Sequence, residues 1–424
     1  MSKKIGIIGA GTAGLQLGIY LQLQGVSSTI YTDRSPEDYA ASRLPNTVAH
    51  HAVTINRERD LGVDHWPTDK FGYYGHHYYV GGRPPLSFYG DYVEPSRAVD
   101  YRVYHPRLIE DYVRAGGELV VGPVQHDDVP DLAARFDLLV VCTGKGPFGQ
   151  MFGRVATHSP HERPQRQLCV GVFKGIEQLP ERAVVWQAAP KQGELIEIPF
   201  LTFGGMATAL VFENHVGGDL EVLAHTKYED DPAAFRKVML DALRTHYPMT
   251  FERTDVGDFD VANNPLDILQ GGVTPAVRRS HMVLDDGTLA VSLGDVHATV
   301  DPVLGQGANV ASYSAWVLGE EIVAQEHYDV RFAEHLERRR QDRVLAASRW
   351  TNFMLSALEQ MPAEFGELLG AMAERRSLAD EFTDGFNYPE LQWDRLATPE
   401  RMAAWVARHP ATLPSMTDSA LLVG

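Results

Sequence analysis

The sequence predicts an α/β fold in three parts: a strand–helix–strand opening, a β-sheet region through the middle and a helical C-terminal region. Three observations predict it. Lys4 to Ile8 form a short apolar run that enters Gly9-Ala10-Gly11-Thr12-Ala13-Gly14, and a helical pattern follows. Residues 166–274 alternate apolar and polar in places, as in Glu194-Leu195-Ile196-Glu197-Ile198. From about Ala308 onward the apolar spacing is helical.

Taken in order, residues 4–8 read as a strand closed by glycine. Leu15, Ile19 and Leu23 recur at the spacing of an amphipathic helix, with Gly25 as its stop, and Ser28 to Thr32 is the second strand. Residues 35–98, rich in His, Tyr, Pro and Gly, read as long loops with short strands, punctuated by Gly81-Gly82 and Pro84-Pro85. Residues 101–115 are helical, with Leu108, Ile109, Tyr112 and Val113 on one face; Glu118–Val121 and Leu138–Val141 are strands. An antiparallel sheet is expected over 166–274, interrupted by a helix over 231–247, and residues 288–293 form a buried strand that leads into Gly294-Asp295. Val330, Ala333, Leu336, Arg340, Val344, Trp350, Phe353 and Met354 give a long helix one apolar face. Arg338-Arg339-Arg340 reads as a solvated charge run, and the tail around Thr417-Asp418-Ser419 is expected to fray.

A chain of 424 residues exceeds one ordinary domain, so two or three compact units are expected. Hydrophobic residues at 44% and charged residues at 22% match a soluble globular protein and exclude disordered and fibrous classes. The net charge of −18 argues against binding nucleic acid through its phosphates and against anionic membrane surfaces. Two cysteines, Cys142 and Cys169, allow neither a disulfide framework nor a Cys-rich zinc site. No apolar run reaches the roughly 18 residues of a membrane span. After Met1-Ser2-Lys3-Lys4 the apolar run breaks at once into glycines, so no signal peptide is read and a cytoplasmic protein is expected.

Gly9-x-Gly11-x-x-Gly14 between a strand and a helix is the Rossmann-like dinucleotide fingerprint. The first glycine permits the tight turn, the second lets a pyrophosphate approach, and the third allows close helix–strand packing. Thr12 and Ala13 then sit in the first helical turn, whose N–H groups attract phosphate. Asp33, 19 residues beyond Gly14, stands where an acid binds a ribose hydroxyl, with Arg34 beside it; a strand-end turn is the other reading of Asp33. The fingerprint leaves NAD and FAD both open. Gly294-Asp295 through Gly307-Ala308-Asn309 resembles the "GD…P…GxGxN" segment of aromatic-hydroxylase flavoproteins, and that resemblance implies FAD. It places Asp295 at the ribitol, and Pro302, Gly305, Gly307, Ala308 and Asn309 at the start of a helix aimed at the isoalloxazine. A helix N-terminus there stabilises negative charge on reduced flavin. Ala298 stands where many such proteins carry a histidine. The strand ending in Thr143-Gly144 suits the adenine side; Cys142 reads as core and Lys145 as solvated.

Arg43-Leu44-Pro45-Asn46-Thr47-Val48-Ala49-His50-His51, Phe71-Gly72-Tyr73-Tyr74-Gly75-His76-His77 and Glu94-Pro95-Ser96-Arg97-Ala98-Val99-Asp100 resemble the oxygenase component of the styrene monooxygenase family. The resemblance runs from Lys4 through Trp405 and includes Glu334-His335-Leu336-Glu337 and Phe386-Asn387-Tyr388-Pro389. It implies a Rossmann-like FAD-binding domain of the aromatic-hydroxylase type (1–45, 97–165 and 275–325), a β-sheet substrate domain (46–96 and 166–274) and C-terminal helices (326–424). It implies epoxidation of the vinyl side chain of styrene by a flavin C4a-(hydro)peroxide. Reduced FAD would come from a separate NADH:flavin reductase, O2 would be the oxidant, and the protein would be a homodimer. The residues so implicated in catalysis are Asn46, Thr47, His50, Tyr73, His76 and Ser96, with Leu44, Pro45, Val48 and Val211 around the substrate. Asn46 also suits the flavin edge, and Arg43 the FAD phosphates, a surface salt bridge being the alternative for Arg43. Asn46, Val48, His50, Tyr73, His76 and Ser96 follow the styrene pattern rather than the indole one; Pro45 departs from an expected leucine and reshapes the pocket wall. An alkene has no proton to remove, so no acid–base pair on the substrate is needed.

Indole monooxygenase and sulfoxidase activities of the same group are alternatives. A flavin halogenase is the rival of another class, but none of the six tryptophans sits in a Trp-x-Trp-x-Ile-Pro stretch. A flavin-binding module without catalysis leaves the middle region without a use. The pairs His50-His51 and His76-His77 lack an HExxH and a carboxylate at ligand spacing, so no metal is expected, and at least two of the four read as structural or exposed.

Overall fold

The computed structural model describes residues 3–144 and 146–410; Lys145 and the tail containing Thr417-Asp418-Ser419 lie outside the described residues. Strand β1 (Lys4–Ile8) enters helix α1 (Thr12–Leu23) and the chain returns as β2 (Ser27–Thr32). β3 (Ala49–His50) and α2 (Ala52–Asp60) precede a long hairpin, β4 (Gly72–Val80) and β5 (Leu86–Ala98). Helix α3 (Tyr101–Arg114), β6 (Glu118–Val121) and β7 (Leu138–Val141) follow. Next come β8 (Arg166–Lys174), β9 (Ala183–Ala189), β10 (Gly193–Thr202) and β11 (Gly205–His215), then α4 (Pro232–His246). β12 (Asp260–Val261), β13 (Ile268–Gly271), β14 (Ala276–Val277), β15 (His281–Val283), β16 (Leu289–Ser292) and β17 (Ala298–Thr299) complete the strands. Helices α5 (Gln306–Ala324), α6 (Val330–Glu359), α7 (Ala363–Glu374), α8 (Arg376–Asp384), α9 (Pro389–Leu396) and α10 (Pro399–Ala407) end the described chain.

The strands form two main sheets. A six-stranded sheet has the order β15-β16-β7-β1-β2-β6, parallel except for β15. A nine-stranded sheet runs β12-β8-β11-β10-β9-β4-β5-β3 with β13 also on β8, and is antiparallel except where β4 meets β9. The chain therefore crosses from one sheet to the other several times. Among the described residues, no helix is long and apolar enough to cross a membrane.

Helix α1 departs from the amphipathic expectation. Leu15 and Ile19 are buried, but so are Thr12, Gly14 and Gln16, while Leu23 is 55% exposed. The helix is wedged between the parallel sheet, α3 and α5, so nearly its whole circumference is dry. On α3, Leu108, Ile109 and Tyr112 are buried as expected, whereas Val113 is 49% exposed. One residue beyond Tyr112 is a further 100° or so around the helix, off the packed stripe.

Residues 72–98 form strands of 9 and 13 residues rather than loops with short strands. A β-bulge between Tyr73 and Gly75 breaks the period of two, so Tyr73, His76 and Tyr78 are all buried despite their uneven spacing. Alternation is the usual sign of a strand, and the bulge removes it here.

The nine-stranded sheet is covered on both faces. Phe235, Met239 and Leu243 of α4 pack on one side; Trp350, Phe365, Phe382 and Trp405 of α6 to α10 belong to the core on the other. Hence β10 is buried throughout, although its sequence alternates with glutamates. Glu194 pairs with Arg166 at 2.8 Å, and Glu197 with Arg253 at 2.6 Å. Arg340 is likewise buried, with Nη2 donating to Ser280 O at 3.2 Å, and Arg339 pairs with Glu320 and Glu321, so the 338–340 run is only partly solvated. Arg340 lies one turn from Leu336 and Val344, and shares their inward face. Val330, at the first turn of α6, is exposed instead.

Candidate active site

One cavity of about 650 Å³ runs from the C-terminal edge of the parallel sheet into the space beside the nine-stranded sheet. The ends of β1, β2, β6 and β7 form one part of its wall. Helix α1 starts there after Gly11 with no side-chain cap, and α5 starts there after Gly305, also uncapped. Two uncapped helix N-termini at one cavity make it receptive to phosphate and to developing negative charge.

The glycines divide by function. A Cβ on Gly14 would lie 2.1 Å from Gly9 O and 2.8 Å from Cys142 Sγ, so this glycine serves helix–strand contact. A Cβ on Gly9, at φ +120°, would meet Cys142 O at 2.5 Å. A Cβ on Gly11 would meet nothing within 4 Å, because the space above it is the cavity. That open cradle, with the buried and unpartnered Thr143 Oγ1 and Asn46 Oδ1 on the same wall, fits a dinucleotide cofactor.

Of the residues singled out in the sequence, Gly9, Gly11, Thr12, Ala13, Asp33 and Arg34 line the cavity from the first βαβ unit. Thr143 and Gly144 line it from the end of β7, and Asp295, Pro302, Gly305, Gly307 and Ala308 from the approach to α5. Pro45, Asn46, Thr47 and Val48 line it from the loop before β3; Tyr73, His76 and Val211 do so from the nine-stranded sheet.

Six of the expected residues lie elsewhere. His50 is buried on the other side of β3, with Nδ1 2.6 Å from Glu58 Oε1 and Nε2 2.9 Å from Tyr101 Oη. Leu44 is core, its N–H donating to Leu266 O. Arg43 points to the surface, where Nη1 donates to Ile268 O at 2.8 Å and Nη2 pairs with Glu229 at 2.5 Å. With those partners it is spent on a surface pair rather than on the cavity. Asn309 makes four hydrogen bonds: it accepts from His51 N and Thr54 Oγ1, and donates to Ala49 O and Gly305 O. It staples β3 to the first turn of α5 and has no spare group for a cofactor. Gly14 packs below the surface, and Ser96 supports a neighbour, Oγ lying 3.1 Å from His51 Nδ1.

His51 is the residue the sequence reading missed. It lines the cavity, its Nε2 is buried without a partner, and burial pulls its pKa down to about 3, with His50 and Arg343 adding to the effect. The strand β3 ends at His50 and His51 stands at the N-cap of α2, so no strand pattern shows which of the two histidines faces inward. From His51 a chain of polar contacts continues. Tyr92 Oη lies 3.5 Å from His51 Nδ1 and 2.8 Å from His76 Nε2, and His76 Nδ1 lies 3.2 Å from Tyr78 Oη. Burial lowers His76 well below the usual range and raises Tyr73, so these groups are neutral. Beyond them the wall is apolar: Leu168, Val170, Val184, Trp186, Ile196 and Ile198, with Phe386 opposite. Ile196 and Ile198 lie in a stretch read as a sheet strand, and Phe386 in a segment that carries the family resemblance, but neither signal showed that they face a cavity. Among the described residues, no group of three or more His, Cys, Asp or Glu is placed to hold a metal ion.

The two-sheet architecture has solved counterparts. PqsL, a probable FAD-dependent monooxygenase from Pseudomonas aeruginosa, superposes with a TM-score of 0.61 at 14% identity, over 84% of this chain and 97% of that one. The myxobacterial chondrochloren halogenase CndH, an FAD-dependent halogenase, superposes at 0.62 and 15% identity, over 92% and 97%. Fold and cavity together define a dinucleotide-binding protein with the two-sheet fold of the aromatic-hydroxylase type. Residues 144–253 match the family described as "Styrene monooxygenase A putative substrate binding domain". Styrene monooxygenase StyA of Pseudomonas fluorescens is 58% identical over 413 residues, which are 97% of this chain and all of that one. The chain belongs to the styrene monooxygenase family.

Proposed function

We propose that this protein epoxidises the vinyl group of styrene or a close aryl alkene with one oxygen atom of O2, using FAD reduced by a separate NADH:flavin reductase. The observation that carries the reading is the continuity of one cavity, from the glycine cradle and two helix N-termini to an apolar chamber whose histidines are neutral. Bound and reduced, FAD supplies two electrons and the site at which O2 becomes reactive.

The chain's own residues do the rest. The first turns of α1 and α5 offer N–H groups to negative charge, Gly11 leaves room for a pyrophosphate, and Asp33, on the cavity lining, takes a ribose hydroxyl in this reading. Asn46, with its unpartnered Oδ1, and His51, with its unpartnered Nε2, offer polar contacts on the cavity wall. The aliphatic wall with Trp186 and Phe386 excludes water and orients a flat apolar substrate. Pro45, Val48 and Val211 complete the substrate side. Ser96 orients His51 and is a positioning residue. A cytoplasmic homodimer completes the reading, on the strength of the family likeness.

The test supplies chemically reduced FAD and O2 with styrene, and in parallel with indole and an aryl sulfide. Styrene oxide as the dominant product supports the reading; chlorinated arene in the presence of chloride, or indigo in excess over epoxide, overturns it. NADH and FAD without a reductase are expected to leave the flavin oxidised, and rapid reduction would remove the two-component part.

A further inference from the structure

The floor of the apolar chamber ends in a charged row that the oxygenation chemistry described above leaves unused. Leu168 and Val170 of β8, Ile196 and Ile198 of β10, and Val211 of β11 line the cavity. At the next position of the same alternating face stand Arg166, Glu194 and Glu213, with Glu194 directly opposite Glu213 in the register. All three are buried, and so is Asp301, which borders the cavity beside Pro302. Arg166 is committed to Glu194 in a two-bond pair, at 2.8 and 3.2 Å. That leaves Glu213 and Asp301, which lie close enough to act on each other, without a cation of their own. Glu213 Oε1 and Oε2 and Asp301 Oδ2 have no donor among the described residues, while Asp301 Oδ1 accepts from Val303 N at 3.2 Å. Two carboxylates placed this way, out of water, cannot both be ionised; a proton between them supplies the missing donor.

We propose that Glu213 and Asp301 share one proton, Glu213 donating it to Asp301, and that this pair passes on the proton each epoxidation consumes while a proton from solvent replaces it, so that the two are never ionised together. The inference rests on the monooxygenase reading. In each turnover, reduced flavin anion, O2, alkene and one proton become oxidised flavin, epoxide and water. The C=C π bond and the O–O bond break and two C–O bonds form. Two electrons leave the flavin, and the second oxygen departs as water with the flavin's hydrogen and the added proton. A dry chamber has to hold that proton ready, and Asp301 is the carboxyl at its wall. Burial, then the Asp301 charge, raises Glu213 well above the ordinary carboxylic range, and burial raises Asp301 as well. The other titratable groups facing the pair are Arg166, Glu194, His161 near Asp301, and His215 at 3.7 Å from Glu194.

The test uses the full chain and the Glu213→Gln and Asp301→Asn variants. Infrared spectra at neutral pH are expected to show in wild type a protonated-carboxyl C=O band that shifts in heavy water, is lost in Glu213→Gln and moves to a new frequency in Asp301→Asn, where burial still keeps Glu213 protonated. Single-turnover epoxide yield from chemically reduced FAD is expected to stay level from about pH 6 to 8 in wild type. In Glu213→Gln it should fall about tenfold per pH unit, because the proton then comes from solvent. A wild type without the band, a band unchanged in either variant, or a variant whose yield follows wild type across the range overturns the proposal. If one variant does not fold, the wild-type band and the other variant decide. No epoxide from wild type at any pH sinks the monooxygenase reading and with it the proton's use, while the infrared band still decides whether the proton is shared.

Discussion

Ser96 on β5 holds His51, the residue that follows β3: Oγ lies 3.1 Å from Nδ1, and the ring's other nitrogen is left toward the cavity. Ser96→Ala should cost about 1 kcal/mol of stability, the worth of one buried hydrogen bond. It should lower epoxide yield per reduced FAD several-fold by letting the imidazole turn. Ser96→Thr, which keeps the hydroxyl, should recover more of that yield than Ala; equal loss in both variants would show that the hydroxyl has no orienting role.

Acid should destabilise this protein steeply. Burial lowers His51 and His105 to about 3 in the folded state. In the unfolded chain both titrate near 6.5. The folded form therefore binds fewer protons, and the stability of the neutral rings is present above about pH 6.5 and lost as pH falls toward 3. Each ring contributes a slope of about 1.4 kcal/mol per pH unit in that window. Urea midpoints measured at pH 7.5, 6.5 and 5.5 should fall only below the middle value, and His105→Gln should flatten the decline. A midpoint flat down to pH 5.5 would refute this.

Gly11→Ala and Gly14→Ala should fail differently. At Gly14 the methyl meets Gly9 O and Cys142 Sγ, so the unfolding free energy should drop by about 3 kcal/mol or more. At Gly11 there is open space, so folding should be unchanged while FAD affinity falls at least about tenfold, the cost of displacing a close pyrophosphate. Thermal melts of the FAD-free protein, with FAD titration by fluorescence quenching, separate the two.

Arg43→Ala is expected to leave FAD affinity within about twofold, since its guanidinium is bound to Glu229 and Ile268 O at the surface. Arg34→Ala, on the cavity rim beside Asp33, should weaken FAD binding instead. The same fluorescence titration decides, and the reverse order of effects would restore the phosphate role to Arg43.

Asn46→Ala removes a buried carbonyl oxygen that has no protein partner, so folding should be little affected. Uncoupling is the expected consequence, with hydrogen peroxide rising at the expense of epoxide. Wild-type coupling in this variant would remove Asn46 from the site.

The local parts of this protein were legible because their physics is local. The turn at Gly9, the open approach at Gly11 and the packing at Gly14 are backbone requirements that a few consecutive residues state in full. The same holds for Gly305, whose φ of +60° starts α5. By itself the sequence determined the dinucleotide opening, the FAD-type segment, the central strands and the family. Tertiary structure decided which side each of those residues faces. His50 and His51 are equivalent in sequence, and only the partners Glu58, Tyr101 and Ser96, brought from other elements, assign one to the core and the other to the cavity. Tyr73 and His76 share a side only because of a bulge. Arg43 is drawn away by Glu229, 186 residues on, and Arg340 is buried by the surface its helix packs against. Glu194 and Glu213 are charged residues in two strands, and only the helices over both sides of the sheet turn them into buried charge. Burial and hydrogen-bond partnership are properties of residues distant in sequence, so no local pattern carries them.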